Sequence, residues 1–141
     1  MSLCGIGIDV TDIGRIERLV ATGGDRFVRR WFTSPEVDEC RDSRGRTSPH
    51  RLAVRFAAKE AAWKALGGDA REGVPWRLIE VRSSRAGGFS VSFSGRLADS
   101  HTEGLTFHIS VSTTGTTATV FTVAEREDVG LPGDSSAADR P

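Results

Sequence analysis

Asparagine, glutamine and tyrosine are absent from the 141 residues, so polar recognition falls to charged groups, hydroxyls, histidine, tryptophan and the backbone. Cysteine occurs only as Cys4 and Cys40, too few and too irregular for a disulfide framework or a zinc site, and both read as free thiols. No apolar run approaches the roughly 18 residues of a membrane span, and the start MSLCGIGIDV lacks the basic flank and long apolar stretch of a signal peptide. A cytoplasmic protein with no membrane partner is expected. The formal net charge is zero, which argues against nucleic acid as a bulk partner. The phosphate-loop pattern G-x-x-x-x-G-K-[ST], a complete G-x-G-x-x-G, the G-x-S-x-G elbow and a histidine pair at metal spacing are all missing. Lysine is nearly missing too: 17 of the 19 basic residues are arginine, and Lys59 and Lys64 are the exceptions.

What is present reads as one domain of helices first and strands later, an α+β arrangement. Residues 3–10 alternate as a strand, with Cys4, Ile6, Ile8 and Val10 expected on the core face and Gly5, Gly7 and Asp9 opposite. Thr11 is expected to cap a helix that stops at Gly23-Gly24, followed by another turn or two over 26–32. Thr33-Ser34-Pro35-Glu36 has the order of a helix start, running to about Arg41. Ser48-Pro49 opens the longest helical pattern, ending at Leu66 before Gly67-Gly68. Strands are expected near 76–83, 89–93, 106–112 and 117–124, with a short helix at 95–101. The folded domain therefore spans 1–124, and 125–141, acidic and then rich in Gly, Pro, Ser and Ala, reads as a disordered tail.

Charge is unevenly placed. Residues 1–64 carry a net +3 and the remainder −3, with Arg15, Arg18, Arg26, Arg29 and Arg30 concentrated in one short segment. In the long helix Lys59 falls within the apolar stripe of Leu52, Phe56, Trp63 and Leu66, while Glu60 and Lys64 lie along one border and Arg55 along the other. Asp9 ends a strand, and His108 alternates with Phe107, Ile109 and Val111. Two carboxylates with several cations suit a magnesium ion held by few protein ligands and completed by substrate phosphates, the pattern of phosphoryl transfer. Plainer uses exist for each: an i,i+4 helix pair for Glu60 and Lys64, a helix N-terminus for Asp9, a solvated strand position for His108.

The segments GIGIDVTDIGRI, RFVRRWFTSPE, RLAVRFAAKEAAWKALG and FHISVS, over about residues 4–124, resemble in order and spacing the holo-acyl-carrier-protein synthases, the short bacterial 4'-phosphopantetheinyl transferases. The resemblance implies an enzyme that transfers the phosphopantetheine arm of coenzyme A to a serine of apo acyl carrier protein, with Mg²⁺, releasing adenosine 3',5'-bisphosphate. It also implies a small α+β protomer, helices packed on a mainly antiparallel sheet, in a homotrimer with sites between subunits. By position, Asp9 and Glu60 match the metal carboxylates and Lys64 the lysine on the pyrophosphate; Glu60, Lys64 and His108 take the catalytic roles. Arg55, Lys59, Lys64, Gly67 and His108 match substrate-binding positions, and Arg15, Leu19, Arg26, Phe27 and Arg30 match positions that meet the carrier. Two departures stand out: Thr113 where many members have a second histidine, and Gly67-Gly68-Asp69 where many have Gly-[ST]-Gly. The competing reading is a non-catalytic module that binds a carrier protein or nucleic acid through the arginine segment alone. The carrier could serve fatty acid or secondary-metabolite synthesis.

Overall fold

Small side chains decide how the layers meet. The computed structural model describes residues 1–100 and 102–128, and its central element is helix α3 (Pro49–Ala65), in which Ala57, Ala58, Ala61 and Ala62 are wholly buried. Strand β1 (Ser2–Asp12) runs beneath it. A Cβ added at Gly7 would stand 1.9 Å from the Ala61 carbonyl oxygen, and one at Gly5 1.9 Å from that of Ala65, so strand and helix backbones touch where both lack bulk.

Beyond β1 come helix α1 (Ile13–Trp31), helix α2 (Ser34–Glu39), then α3, strands β2 (Ile79–Ser83) and β3 (Phe89–Phe93), helix α4 (Arg96–Ser100) and strands β4 (Leu105–Thr113) and β5 (Thr117–Arg126). One antiparallel sheet has the order β1-β5-β4, and β2 and β3 form a separate antiparallel pair. The α+β expectation holds. Helix starts follow their capping chemistry: Asp12 accepts from the Arg15 amide, Ser48 from the Arg51 amide, and Thr33 and Glu36 form a reciprocal capping box. The cap of α1 is Asp12 rather than Thr11, because β1 continues through residue 12. Gly23-Gly24 kinks α1 instead of ending it: Gly24 takes φ 51°, ψ −140°, and helix resumes to Trp31. Strand β5 runs two residues past the expected domain end at 124, and the tail expected beyond it falls, from residue 129, outside the described residues. Among the described residues no helix is long and apolar enough to cross a membrane.

The faces of β1 are reversed from expectation. Gly7 and Asp9 face α3, whereas Cys4, Ile6, Ile8 and Val10 are exposed. Alternation divides a strand into two faces without saying which one the helix covers, and the close approach of α3 admits only the glycine side. Along the open face Ile6, Val123 and His108 form one cross-strand row, and Ile8, Phe121 and Ser110 the next. Gly7→Ala is expected to cost about 3 kcal/mol or more, since backbone rather than a flexible side chain blocks the new methyl. The denaturation midpoint checks this; an unchanged midpoint would mean that β1 and α3 separate without penalty.

Candidate active site

Because β1 and α3 touch at their glycine and alanine positions, the side chains one step further along are brought together. Asp9, on the face that β1 turns to the helix, is buried; its Oδ2 accepts a hydrogen bond from Thr11 Oγ1 at 2.8 Å. Lys64, one turn after Glu60 on α3, donates from Nζ to the Ile8 carbonyl at 2.9 Å and to Asp9 Oδ1 at 3.1 Å. The carboxyl of half-buried Glu60 is pushed up to about 7, first by burial and then by a hydrogen bond with Asp9 and the Asp9 charge; Lys64 and Arg15 act in the other direction. Arg15 reaches this cluster because α1 begins directly after β1. Thus Asp9, Glu60 and Lys64 meet as the resemblance implies, and Thr11, expected only as a helix cap, is a hydrogen-bond partner within the cluster.

Several expected members lie elsewhere. Lys59 is wholly buried and cannot reach the cluster's ligand side: its Nζ pairs with Glu36 Oε2 at 2.7 Å and donates to the carbonyls of Trp31 and Trp76, each at 2.8 Å. Burial pushes its pKa down and Glu36 opposes the shift. Its substrate-binding assignment is corrected to a core role. Phe27, expected to meet a carrier, is instead packed against Trp31 and Phe32, leaving half-buried Leu19 beside the exposed Arg15, Arg18, Arg26, Arg29 and Arg30. His108 is on the sheet face away from α3, paired with Glu125 at 3.0 Å, so one protomer does not bring it to Asp9. Gly67 ends α3 with φ 78°, its amide donating to the Lys64 carbonyl.

Arg55 is on the other border of α3. Its guanidinium is buried over the Phe89 ring, bonds Glu39 Oε2 at 2.8 Å and the Arg51 carbonyl, and keeps an Nε without a partner. Glu39 also accepts from Arg82 and the Ser83 amide; burial favours its neutral form, but the Ser83 amide, Arg82 and Arg55 outweigh this and hold its carboxyl down to about 2. Arg55 stands in the wall of a cleft of about 460 Å³ with His50, Arg51, Val54, Phe89 and Thr113. This cleft was not foreseen; basic residues at 50, 51 and 55 were its only trace in the sequence. Asp9 is on β1 at one edge of the sheet and the cleft adjoins β4 at the other, two strands or about 10 Å apart. The departure at Thr113 therefore faces the cleft. That at Asp69 is turned to Arg71, whose amide it accepts at 2.8 Å.

Among the described residues no three His, Cys, Asp or Glu side chains cluster as a metal cage. Asp9 and Glu60 offer hard oxygen donors, and burial followed by the adjoining Asp9 pushes the Glu60 carboxyl up to about 7, so that near neutral pH it holds its proton about half the time. A hard cation that keeps waters and takes phosphate oxygens fits such a pair, replacing that proton.

A family model, the 4'-phosphopantetheinyl transferase superfamily, matches residues 5–124. A holo-[acyl-carrier-protein] synthase of Phenylobacterium zucineum is 38% identical over 97% of this chain and 99% of its own length. The crystal structure of the holo-[acyl-carrier-protein] synthase of Neisseria meningitidis superposes with a TM-score of 0.74 at 32% identity, covering 88% of this chain and 99% of that one. That of Bacillus anthracis, in complex with CoA (3',5'-ADP), gives 0.69 at 30% identity, covering 90% and 100%.

Proposed function

The chain belongs to the 4'-phosphopantetheinyl transferase superfamily, and from that premise we propose that Asp9, Glu60 and Lys64 move the phosphopantetheine arm of coenzyme A onto a serine of apo acyl carrier protein. The observation that carries the reading is the convergence of two carboxylates and a lysine where β1 meets α3. A carrier-binding module without chemistry has no use for that set. Coenzyme A and the apo carrier are the two substrates, and holo carrier and adenosine 3',5'-bisphosphate are the products.

Two of the three Lys64 N–H donors are engaged by Ile8 and Asp9, which fixes the ammonium and leaves one donor for a pyrophosphate oxygen. Asp9 and Glu60 would hold Mg²⁺, which when bound neutralises the phosphates. The serine proton passes to Glu60 or to a water at its carboxylate as the hydroxyl attacks the β-phosphate. Thr11 keeps Asp9 aimed at Lys64. The cleft beside Arg51 and Arg55 takes the nucleotide end of coenzyme A.

The site is shared between copies of the chain. Ile6, Ile8, Val10 and Phe121 form an apolar strip on the open sheet face, next to His108, which a single protomer leaves without a role at Asp9. Assembly of a homotrimer through this strip covers it and brings His108 and the cleft of one copy to the Asp9 cluster of its neighbour. The exposed arginines of α1, beginning at Arg15 beside Glu60, receive an acidic carrier.

The direct test incubates the protein with coenzyme A and apo carrier and follows release of adenosine 3',5'-bisphosphate with and without a chelator. Release that requires both substrates and stops on chelation is expected; release insensitive to chelation would remove the metal from Asp9 and Glu60. Lys64→Ala is expected to raise KM for coenzyme A about tenfold or more with the carrier KM little changed, and Lys64→Arg to restore part of it, the planar fork being a different shape. Unchanged coenzyme A constants in Lys64→Ala would return Lys64 to a helix-pairing role.

A further inference from the structure

The kink at Gly24 makes the last part of α1 a separate arm. With φ 51° and ψ −140° at Gly24, the helix before it does not dictate the direction of residues 25–31. Yet this arm carries Arg26, Arg29 and Arg30, three of the five exposed arginines of α1. Phe27 and Val28 pack its inner face into the core, and its far end is held in addition by polar contacts.

Two cations grip that end. Lys59 Nζ, wholly buried, donates to the Trp31 carbonyl at 2.8 Å, and the Arg77 guanidinium donates to the Arg29 carbonyl at 2.9 Å. Both carbonyls belong to the last turn of the arm, where intrahelical donors run out and positive charge is favoured. Lys59 is itself fixed by Glu36 at 2.7 Å and by the Trp76 carbonyl at 2.8 Å, so its three donors are all engaged. Glu36 in turn accepts from the amides of Thr33 and Val81, tying the grip to α2 and β2. Lys59 also precedes Glu60 on α3. The turn of helix that presents Glu60 to Asp9 on one side thus holds the end of the arginine arm on the other.

We infer that Lys59, together with Arg77, is a positioning residue for carrier docking: it clamps the carbonyl end of the arm 25–31 so that the arm's arginines stand at a fixed offset from Glu60. The inference rests on the reading that these arginines receive the carrier. A buried ammonium is costly, and an apolar side chain of similar volume would fill the same space without it. What methionine cannot do is hold two main-chain carbonyls and a carboxylate at once.

The test uses the full, assembled protein in four forms: the parent, Lys59→Met/Glu36→Gln, Arg77→Ala, and Arg26→Ala/Arg30→Ala. The paired substitution avoids leaving a lone buried carboxylate, and Arg77, being exposed, can be removed without threat to the core. Amide hydrogen exchange is followed for peptides covering 25–32 and 52–58. Exchange in 25–32 is expected to quicken about tenfold in Lys59→Met/Glu36→Gln and less in Arg77→Ala, with 52–58 unchanged. In both, KM for carrier is expected to rise about fivefold or more, while kcat and KM for coenzyme A stay within about twofold. Should Lys59→Met/Glu36→Gln fail to fold, Arg77→Ala decides by the same two readouts. Arm exchange and carrier KM both unchanged, or equal losses for the two substrates, would overturn the proposal. If Arg26→Ala/Arg30→Ala leaves the carrier KM unchanged while Arg77→Ala loosens the arm, the docking surface is what fails, and the proposal falls with it.

Discussion

Glu60→Gln is expected to lower the rate of transfer by about a thousandfold while leaving the protein as stable as the parent or more so. The two halves of that expectation have one cause. Burial and the adjacent Asp9 push the Glu60 carboxyl up to about 7 from its ordinary 4.5, so the folded protein resists the charge on which the chemistry depends. In the presence of chelator, below about pH 4.5 the carboxyl is protonated in both folded and unfolded chains and costs nothing. Between about 4.5 and 7 the unfolded chain ionises first, so this group lowers stability progressively as pH rises, and above about 7 the penalty is complete. Glutamine escapes that penalty. The melting temperature of Glu60→Gln should therefore exceed that of the parent at pH 8 and converge with it near pH 4. A residue kept for packing would behave oppositely, losing stability when replaced. Asp9→Ala should be as inactive but less stable, because it strips Lys64 and Thr11 of their shared acceptor. Transfer at the parent rate in both variants would end the assignment of these carboxylates.

The second large effect is on assembly. Ile8 and Phe121, cross-strand neighbours on the open face, are 56% and 41% exposed, and Ile6, Val10 and Leu3 continue the apolar strip. Ile8→Glu/Phe121→Glu changes nothing inside the protomer, so the variant should fold; it should also sediment as a monomer, since two carboxylates would have to be buried in each contact. Activity should fall about a hundredfold or more, because each Asp9 cluster then lacks the neighbour's His108 and cleft. Mixing and reassembling His108→Ala and Glu60→Gln protomers should restore parent-like turnover at about a quarter of the sites, the fraction in which an intact Glu60 faces an intact His108. A fully active monomer, or no recovery on mixing, would place the whole site within one chain.

Much of this was legible in the sequence, for reasons that can be traced to particular residues. Capping chemistry is local, and so Ser48-Pro49 and the box of Thr33 and Glu36 placed the starts of α3 and α2 correctly. Spacing along one helix is local too, and Glu60 and Lys64 fell on the face that meets Asp9. What failed was whatever depends on a partner across the fold. Alternation in β1 is the same pattern whichever face α3 covers, and the glycines that admit the helix resemble an empty solvent face until the helix is seen against them. The resemblance places Lys59 among substrate-binding positions, and its interruption of an apolar stripe gives no sign of a buried pair; the acid that pairs with it, Glu36, lies 23 residues earlier and reads locally only as part of a helix start. The resemblance places Phe27 at the carrier surface, whereas its ring is buried against Trp31 and Phe32, partners that the helical pattern over 26–32 does not reveal by itself. His108 was correctly read as facing away from the core, but the face it occupies belongs to the open side of the sheet rather than to the Asp9 side.

The most direct measurement is the intact mass of apo acyl carrier protein after incubation with coenzyme A, magnesium and either the parent chain or Asp9→Ala/Glu60→Ala. The parent should convert the carrier to a species heavier by one phosphopantetheine group, mapped to a serine, and the variant should leave the carrier mass unchanged. An unmodified carrier with the parent, or equal conversion by the variant, would contradict the assignment of transfer to the carboxylates where β1 meets α3.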